Sequence, residues 1–332
     1  MSTLMNVEGD LEATGELKGN ISDPDKSEFT TSIIKLVYEG IDWKASNMPA
    51  TVLSASSFKG NLHLGCQGNG KIYVFDGSNY SESTDTVCED IRALIPFGHI
   101  LFAAGKGYEV GKIYTTNPPT DEWVVSTDTS PFPAWSLCVY EGKIYAGLGN
   151  DSSFSSKIIY NDGGWYDSTT LDTNKIYSMA VYNGKLYACT SVGNSTGGKV
   201  YVYDGSSWSL STDVGQSIDL TSLVVYNNKL YCAGTNNTIY IYDDNVWNTF
   251  AIEKGSRMGV YNGKLYIGGD NNGKLFIFNG SEWAESTDTT ATSCTGFAVY
   301  NGKLYVALDI GVYEKQDSFM QIMSKNHWNQ NQ

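Results

Sequence analysis

Apolar and polar positions alternate in short runs through most of this chain, and many of the runs come as pairs around a turn dipeptide. The cleanest pair reads VYNGKLY and stands at residues 181–187, 260–266 and 299–305. Asn-Gly accepts positive φ at both positions, so it predicts two strands joined by a two-residue hairpin turn. Variants occur at 139–145 (VYEGKIY), 225–231 (VYNNKLY), 57–63 (SFKGNLH) and, more divergent, 95–102. The pairs recur at intervals of about 36 to 44 residues, the length of a repeat built from four strands.

Residues 177–213 show the unit. A strand over 177–182 turns at Asn183-Gly184 into a second over 185–190. A Gly/Ser/Asn loop leads to a third over 199–203. Asp204-Gly205 then turns the chain into a fourth, around Trp208, that ends in Ser211-Thr212-Asp213. Four antiparallel strands per repeat make one blade of a β-propeller.

First strands end near Phe58, Phe97, Tyr140, Tyr182, Tyr226, Tyr261 and Tyr300. Fourth-strand aromatics fall at Trp43, Tyr80, Trp123, Trp165, Trp208, Trp247 and Trp283. Both series have seven members, offset by one element, because Trp43 precedes the first complete repeat and the last repeat lacks its own Trp. The expected fold is all-β: a seven-bladed β-propeller of four-stranded antiparallel blades, closed by N- and C-terminal strands so that no edge is left open. Residues 311–315 compete with an N-terminal strand for third place in the closing blade. Tyr and Trp at the same place in every repeat are read as packing between blades.

Residues 7–21 carry a different pattern. Val7, Gly9, Leu11, Ala13, Gly15, Leu17, Gly19 and Ile21 alternate with polar or charged neighbours. Period two argues for an extended β arm with one face buried, and the small residues on that face allow another backbone to approach closely. An isolated strand is unstable in water, so the arm wants a partner through Val7, Leu11, Ala13, Leu17 and Ile21. The expected division is an arm and linker over 1–31, the propeller over 32–323 and a polar tail over 324–332.

Composition narrows the partners. The chain has 332 residues, a net charge of −14 and only two arginines, Arg92 and Arg257. Such a surface is a poor match for a phosphate backbone or an anionic membrane, so neither nucleic acid nor membrane insertion is expected. No apolar run reaches membrane-spanning length, and the first fifteen residues lack the basic start and apolar core of a secretory signal. The protein is therefore expected to stay in the cytoplasm of the cell that makes it, or to leave by a route other than signal-directed export. Cys66, Cys138, Cys189 and Cys232 fall in strands and read as small core residues; Cys88 and Cys294 lie closer to loops.

Candidate chemistry sits in what fails to repeat. The second-to-third-strand loops and the links between blades share the face opposite the hairpins, and they vary in sequence. Tyr108, Phe154 and Trp135 on that face are candidate ligand-binding aromatics, able to stack on sugar rings. A recurrent Ser-Thr-Asp places Asp85, Asp128, Asp213 and Asp288 in the blade links. A ring of such carboxylates suits Ca²⁺; alternatively each sets its own turn by bonding local backbone amides. No catalytic set is recognisable: two arginines cannot form a carboxylate-binding triad, and His63, His99 and His327 form no metal-ligand spacing. No enzyme activity, cofactor or metal is expected.

The blade text, VYNGKLY-like hairpins followed by GKVYVYDGSSW, resembles the kelch-like propellers of bacterial and phage-encoded proteins. The segment VEGDLEATGELKGNI resembles the repetitive β segments of virion fibres. Together these resemblances imply a virion structural protein. Its arm would join a capsid, tail or fibre partner, or copies of itself, and its propeller would meet a host-surface glycan or decorate the particle. The alternatives are a free-standing carbohydrate-binding propeller and a metal-dependent hydrolase of the propeller type.

Overall fold

The computed structural model describes residues 35–37, 43–45, 48 and 50–315, together with 321–323. Within 50–315 it leaves out 109, 151–154, 192–196, 216, 253–254, 270–273, 279, 281, 289–292 and 309–310. The arm over 7–21 and the tail over 324–332 lie outside the described residues. Two units are present: the strands Lys35–Val37 and Gln321–Met323 pair antiparallel in one, and Trp43–Lys315 forms the other.

The larger unit is the expected propeller. Each of its seven sheets has four antiparallel strands, paired in chain order in six of them. The fourth blade is Ile176–Tyr182, Lys185–Thr190, Lys199–Tyr203 and Trp208–Asp213, close to its sequence reading. The hairpin turns form as the dipeptides require: φ is +47° and +70° at Asn183 and Gly184, and +48° and +71° at Asn301 and Gly302.

Closure is resolved in favour of the C-terminal strand. In the seventh blade Cys294–Tyr300, Lys303–Leu308 and Gly311–Lys315 are followed, at the outer edge, by Trp43–Ala45. A single N-terminal strand therefore closes the ring, while Lys35–Val37 pairs elsewhere. The sequence left third place open between these two candidates, because an apolar run cannot report which neighbour it pairs with.

The core lies between blades. Seven apolar clusters are present, each drawn from two adjacent blades. Tyr140, Tyr182, Tyr226, Tyr261 and Tyr300 end their first strands buried, and each hydroxyl donates to a backbone carbonyl in the hairpin of the next blade. Tyr300 bonds Gly60 O at 3.1 Å and so ties the last blade to the first. The first and second blades end their first strands in Phe58 and Phe97, which carry no hydroxyl to donate.

A second set of links runs on the fourth strands. Trp123, Trp165, Trp208 and Trp247 donate Nε1 to Ser83, Ser126, Ser168 and Ser211 of the preceding blade at 2.9–3.1 Å. Those serines open the Ser-Thr-Asp motif or its equivalent, and the ladder to the third strand skips each of them. The bulge turns the hydroxyl away from its own sheet and towards the indole. The fifth blade has Phe250 at the same distance from its Trp; there the ladder is unbroken, and the Phe250 ring meets Trp283 with centroids 6.4 Å apart.

All six cysteines are buried and none forms a disulfide, Cys88 and Cys294 included. Burial pushes the Cys66 and Cys138 thiols up to about 12.

Candidate functional site: clefts between blades

Two clefts between adjacent blades, each lined in part by a Trp–Ser pair, are roomy enough to hold a small molecule. The cleft between the first and second blades has a volume of about 360 Å³, and the equivalent one between the third and fourth about 340 Å³. Both volumes fall at the lower end of the range for small-ligand sites. Each is floored by a Trp–Ser pair: Trp123 with Ser83, and Trp208 with Ser168.

Their walls differ because the repeat differs. Between the third and fourth blades the cleft is aromatic. Tyr145 stacks on Tyr160 at 5.6 Å and Tyr203 on Trp208 at 5.2 Å, while Lys143 lies over Tyr160 and pairs with Asp162 at 2.9 Å. Burial is the first cause of a Tyr145 hydroxyl pushed up to about 12, so it stays a neutral donor.

Between the first and second blades four repeat-breaking features meet. Phe58 and His63 replace the usual tyrosines, Lys59 replaces the turn Asn, and Pro118-Pro119-Thr120-Asp121 replaces the usual Asp-Gly turn. Lys59 Nζ grips both Asp121 oxygens, at 2.6 and 2.8 Å, across the blade boundary. His63 is 9% exposed, packs edge-on to Phe58 at 5.7 Å, and its buried Nδ1 has no partner. Desolvation lowers its pKa below the ordinary value of 6.5, against the opposing charge of Asp121, so the ring is neutral at pH 7.

Chemically, each cleft offers an aromatic face beside hydroxyl, carboxylate and ammonium groups, and the first adds the Asn61 amide. That combination suits a pyranose, whose C–H face is apolar and whose rim is all hydroxyls. Among the described residues no three His, Cys, Asp or Glu side chains gather where they could hold a metal ion.

The residues singled out from sequence fall elsewhere. Tyr108 is 79% exposed, in the loop that Gly107 N closes by bonding Val110 O at 2.7 Å. Trp135 is not an exposed link residue. It lies within the strand Ala134–Tyr140, buried, with Nε1 bonded to Gly149 O at 3.1 Å, because the ladder skips it and turns its ring inward. Phe154 lies outside the described residues.

Asp85 and Asp288 end fourth strands, and their carboxylates also lie outside the described parts. Asp128 pairs with Lys112 at 2.6 Å and accepts from Ser130 N at 3.0 Å, and these bonds hold its pKa well below the carboxylate range. Asp213 accepts from Gly215 N at 3.0 Å. Asp128 and Asp213 thus cap their own turns, as the second reading of the motif expects. The clefts themselves were missed. Their one visible signal was the loss of tyrosine at Phe58 and His63, which reads as repeat decay until the two positions are seen to share a wall.

No family model and no curated protein sequence matches the chain. Many solved structures resemble it. The extracellular domain of BT4673 from B. thetaiotaomicron aligns with TM-score 0.63 and 13% identity over 87% of this chain, which spans only 40% of that one. The WD40 propeller of Doa1 aligns with TM-score 0.60 and 12% identity, covering 84% of this chain and 96% of that one. YCF48, solved with a D1 peptide, aligns with TM-score 0.62 and 14% identity, covering 86% and 100%. With no family model matching, the kelch-like resemblance rests on the hairpin text alone. At these identities the likeness shows architecture, and the chain is similar to seven-bladed β-propellers, WD40 domains among them.

Proposed function

We propose that the protein is a non-enzymatic glycan-binding propeller, carried on a virion by its N-terminal segment. The observation that supports binding is the pair of equivalent clefts, each with an aromatic wall and a polar rim over a Trp–Ser floor. In the first, Asn61 and Glu122 are the groups we assign to sugar hydroxyls. Titrating the full chain with neutral oligosaccharides by calorimetry tests this. Asn61→Ala and Glu122→Gln, at unchanged melting temperature, are expected to weaken binding about tenfold, the worth of one or two hydrogen bonds to a buried ligand. Unaltered affinity in both variants would remove the cleft from consideration.

Anchoring rests on the period-two alternation of residues 7–21, which suits a strand added to a neighbouring chain. Deleting residues 1–31 is expected to leave a folded propeller that no longer enters its assembly. Normal incorporation of the truncated chain would end that reading.

A further inference from the structure

At the end of the ring opposite the hairpins, three first strands bulge in succession: the ladder skips Arg92, Trp135 and Tyr177. The three bulges bring cations around one indole. Arg92 lies 4.8 Å from the Trp135 ring centroid, Lys106 5.6 Å and Lys175 4.6 Å, the first two from the second blade and the third from the link into the fourth. Tyr177 meets the same ring edge-on at 5.4 Å.

This concentration is unexpected in a chain of net charge −14, which spends one of its two arginines here. Arg92 and Lys106 share a single buried carboxylate, Asp90, at 2.6 and 3.7 Å, and Asp90 is also used by Gly68 N. Like charges held this close are relieved by an added anion, and the shielded setting strengthens that attraction. Two buried polar atoms lack partners: Nε of Arg92, a donor within the cluster, and Oδ1 of Asn174, an acceptor on the residue before Lys175. The backbone of Asn174 and Lys175 packs on Gly149, where a Cβ would stand 2.2 Å from Asn174 O and 2.5 Å from Lys175 Cα. Gly149 is also the residue whose carbonyl takes the Trp135 indole.

From this we infer a second binding site, for a sugar acid: its carboxylate faces Arg92 and Lys106, and a hydroxyl donates to Asn174. An inorganic anion satisfies the cations but not the amide oxygen, and a neutral sugar satisfies the amide but not the cations. The inference rests on the glycan reading above and adds the class of sugar.

The test is calorimetric titration of the full chain with sialyllactose and with lactose, which differ by the sugar acid. Sialyllactose is expected to bind at least tenfold tighter. Arg92→Gln and Lys106→Gln, each checked for an unchanged melting temperature, should remove that advantage, Arg92→Lys should restore part of it, and Asn174→Ala should weaken sialyllactose alone. Equal affinity for the two sugars, or an advantage untouched by both cation variants, overturns the site. Full displacement by sodium sulfate at matched ionic strength, with no effect of Asn174→Ala, overturns the sugar assignment in favour of a simple anion. Lactose binding that responds to Glu122→Gln but gains nothing from the acid leaves the cleft standing and sinks this site alone. Lactose binding indifferent to Glu122→Gln and Asn61→Ala, with the sialyllactose advantage intact, does the reverse.

Discussion

Single residues in this propeller do two things at once, and His63 is the clearest case. It occupies the second-strand place that Tyr145, Tyr187, Tyr231, Tyr266 and Tyr305 hold in other blades, yet it brings a titratable ring into the core. The unfolded chain takes up a proton near pH 6.5, whereas the buried imidazole takes one up only at lower pH. Between those two values the unfolded state binds more protons, so this residue's contribution to stability falls as pH drops below about 6.5. Asp121, paired with Lys59, is the charge that opposes the shift. His63→Phe, which copies Phe102 of the second blade, is therefore expected to flatten the loss of melting temperature between pH 7.5 and pH 5. An unchanged pH slope would show that the ring is not desolvated as described. The aromatic positions were legible in the sequence as packing, because they recur. The targets of their polar atoms were not, because Tyr182 reaches a carbonyl 46 residues away and Tyr300 one 240 residues away.

At the scale of strands and turns, what was legible is what local chemistry decides. Asn-Gly fixed the hairpins, and Gly184 at φ +70° has no atom within 4 Å of an added Cβ, so space is not its constraint. Gly184→Val is expected to cost about 1–2 kcal/mol in chemical denaturation, the penalty for a branched residue in left-handed backbone. A loss well below that would mean the hairpin relaxes to another turn. Bulges were not legible. Ser-Thr-Asp reads as a polar strand end, and only the skipped ladder shows that its serine belongs to the neighbouring blade's tryptophan while its aspartate caps the local turn. The same blind spot misplaced Trp135: beside Phe132 and Pro133 it reads as link, and one bulge buries it. Both sites proposed above depend on such bulges, which is why the clefts were not foreseen and, of the second site, only Trp135 was singled out.

For the ring as a whole, the blade count was legible from two independent series, and the closing pair was not. Since Trp43–Ala45 is the outer strand of the seventh blade, losing it exposes the edge of Gly311–Lys315. A chain starting at residue 35 is expected to keep the full melting temperature of the propeller. A chain starting at residue 48 should melt lower and aggregate on heating. If the two melt alike, the strand is not a structural part of the seventh blade.

The tyrosine links have a consequence for how such a ring fails. They run unbroken from the third blade through the seventh to the first, so the junction that joins the two ends of the polypeptide lies inside a continuously fastened arc. Phe58 and Phe97 leave the second blade outside it, held to its neighbours by the Trp123–Ser83 and Trp165–Ser126 bonds and the exposed Lys59–Asp121 pair but by no tyrosine. The clasp of this bracelet is therefore not where the chain begins and ends but one blade further on. Under heat or pulling force, parting should start at the second blade, and amide exchange there should outpace that of the closing strand.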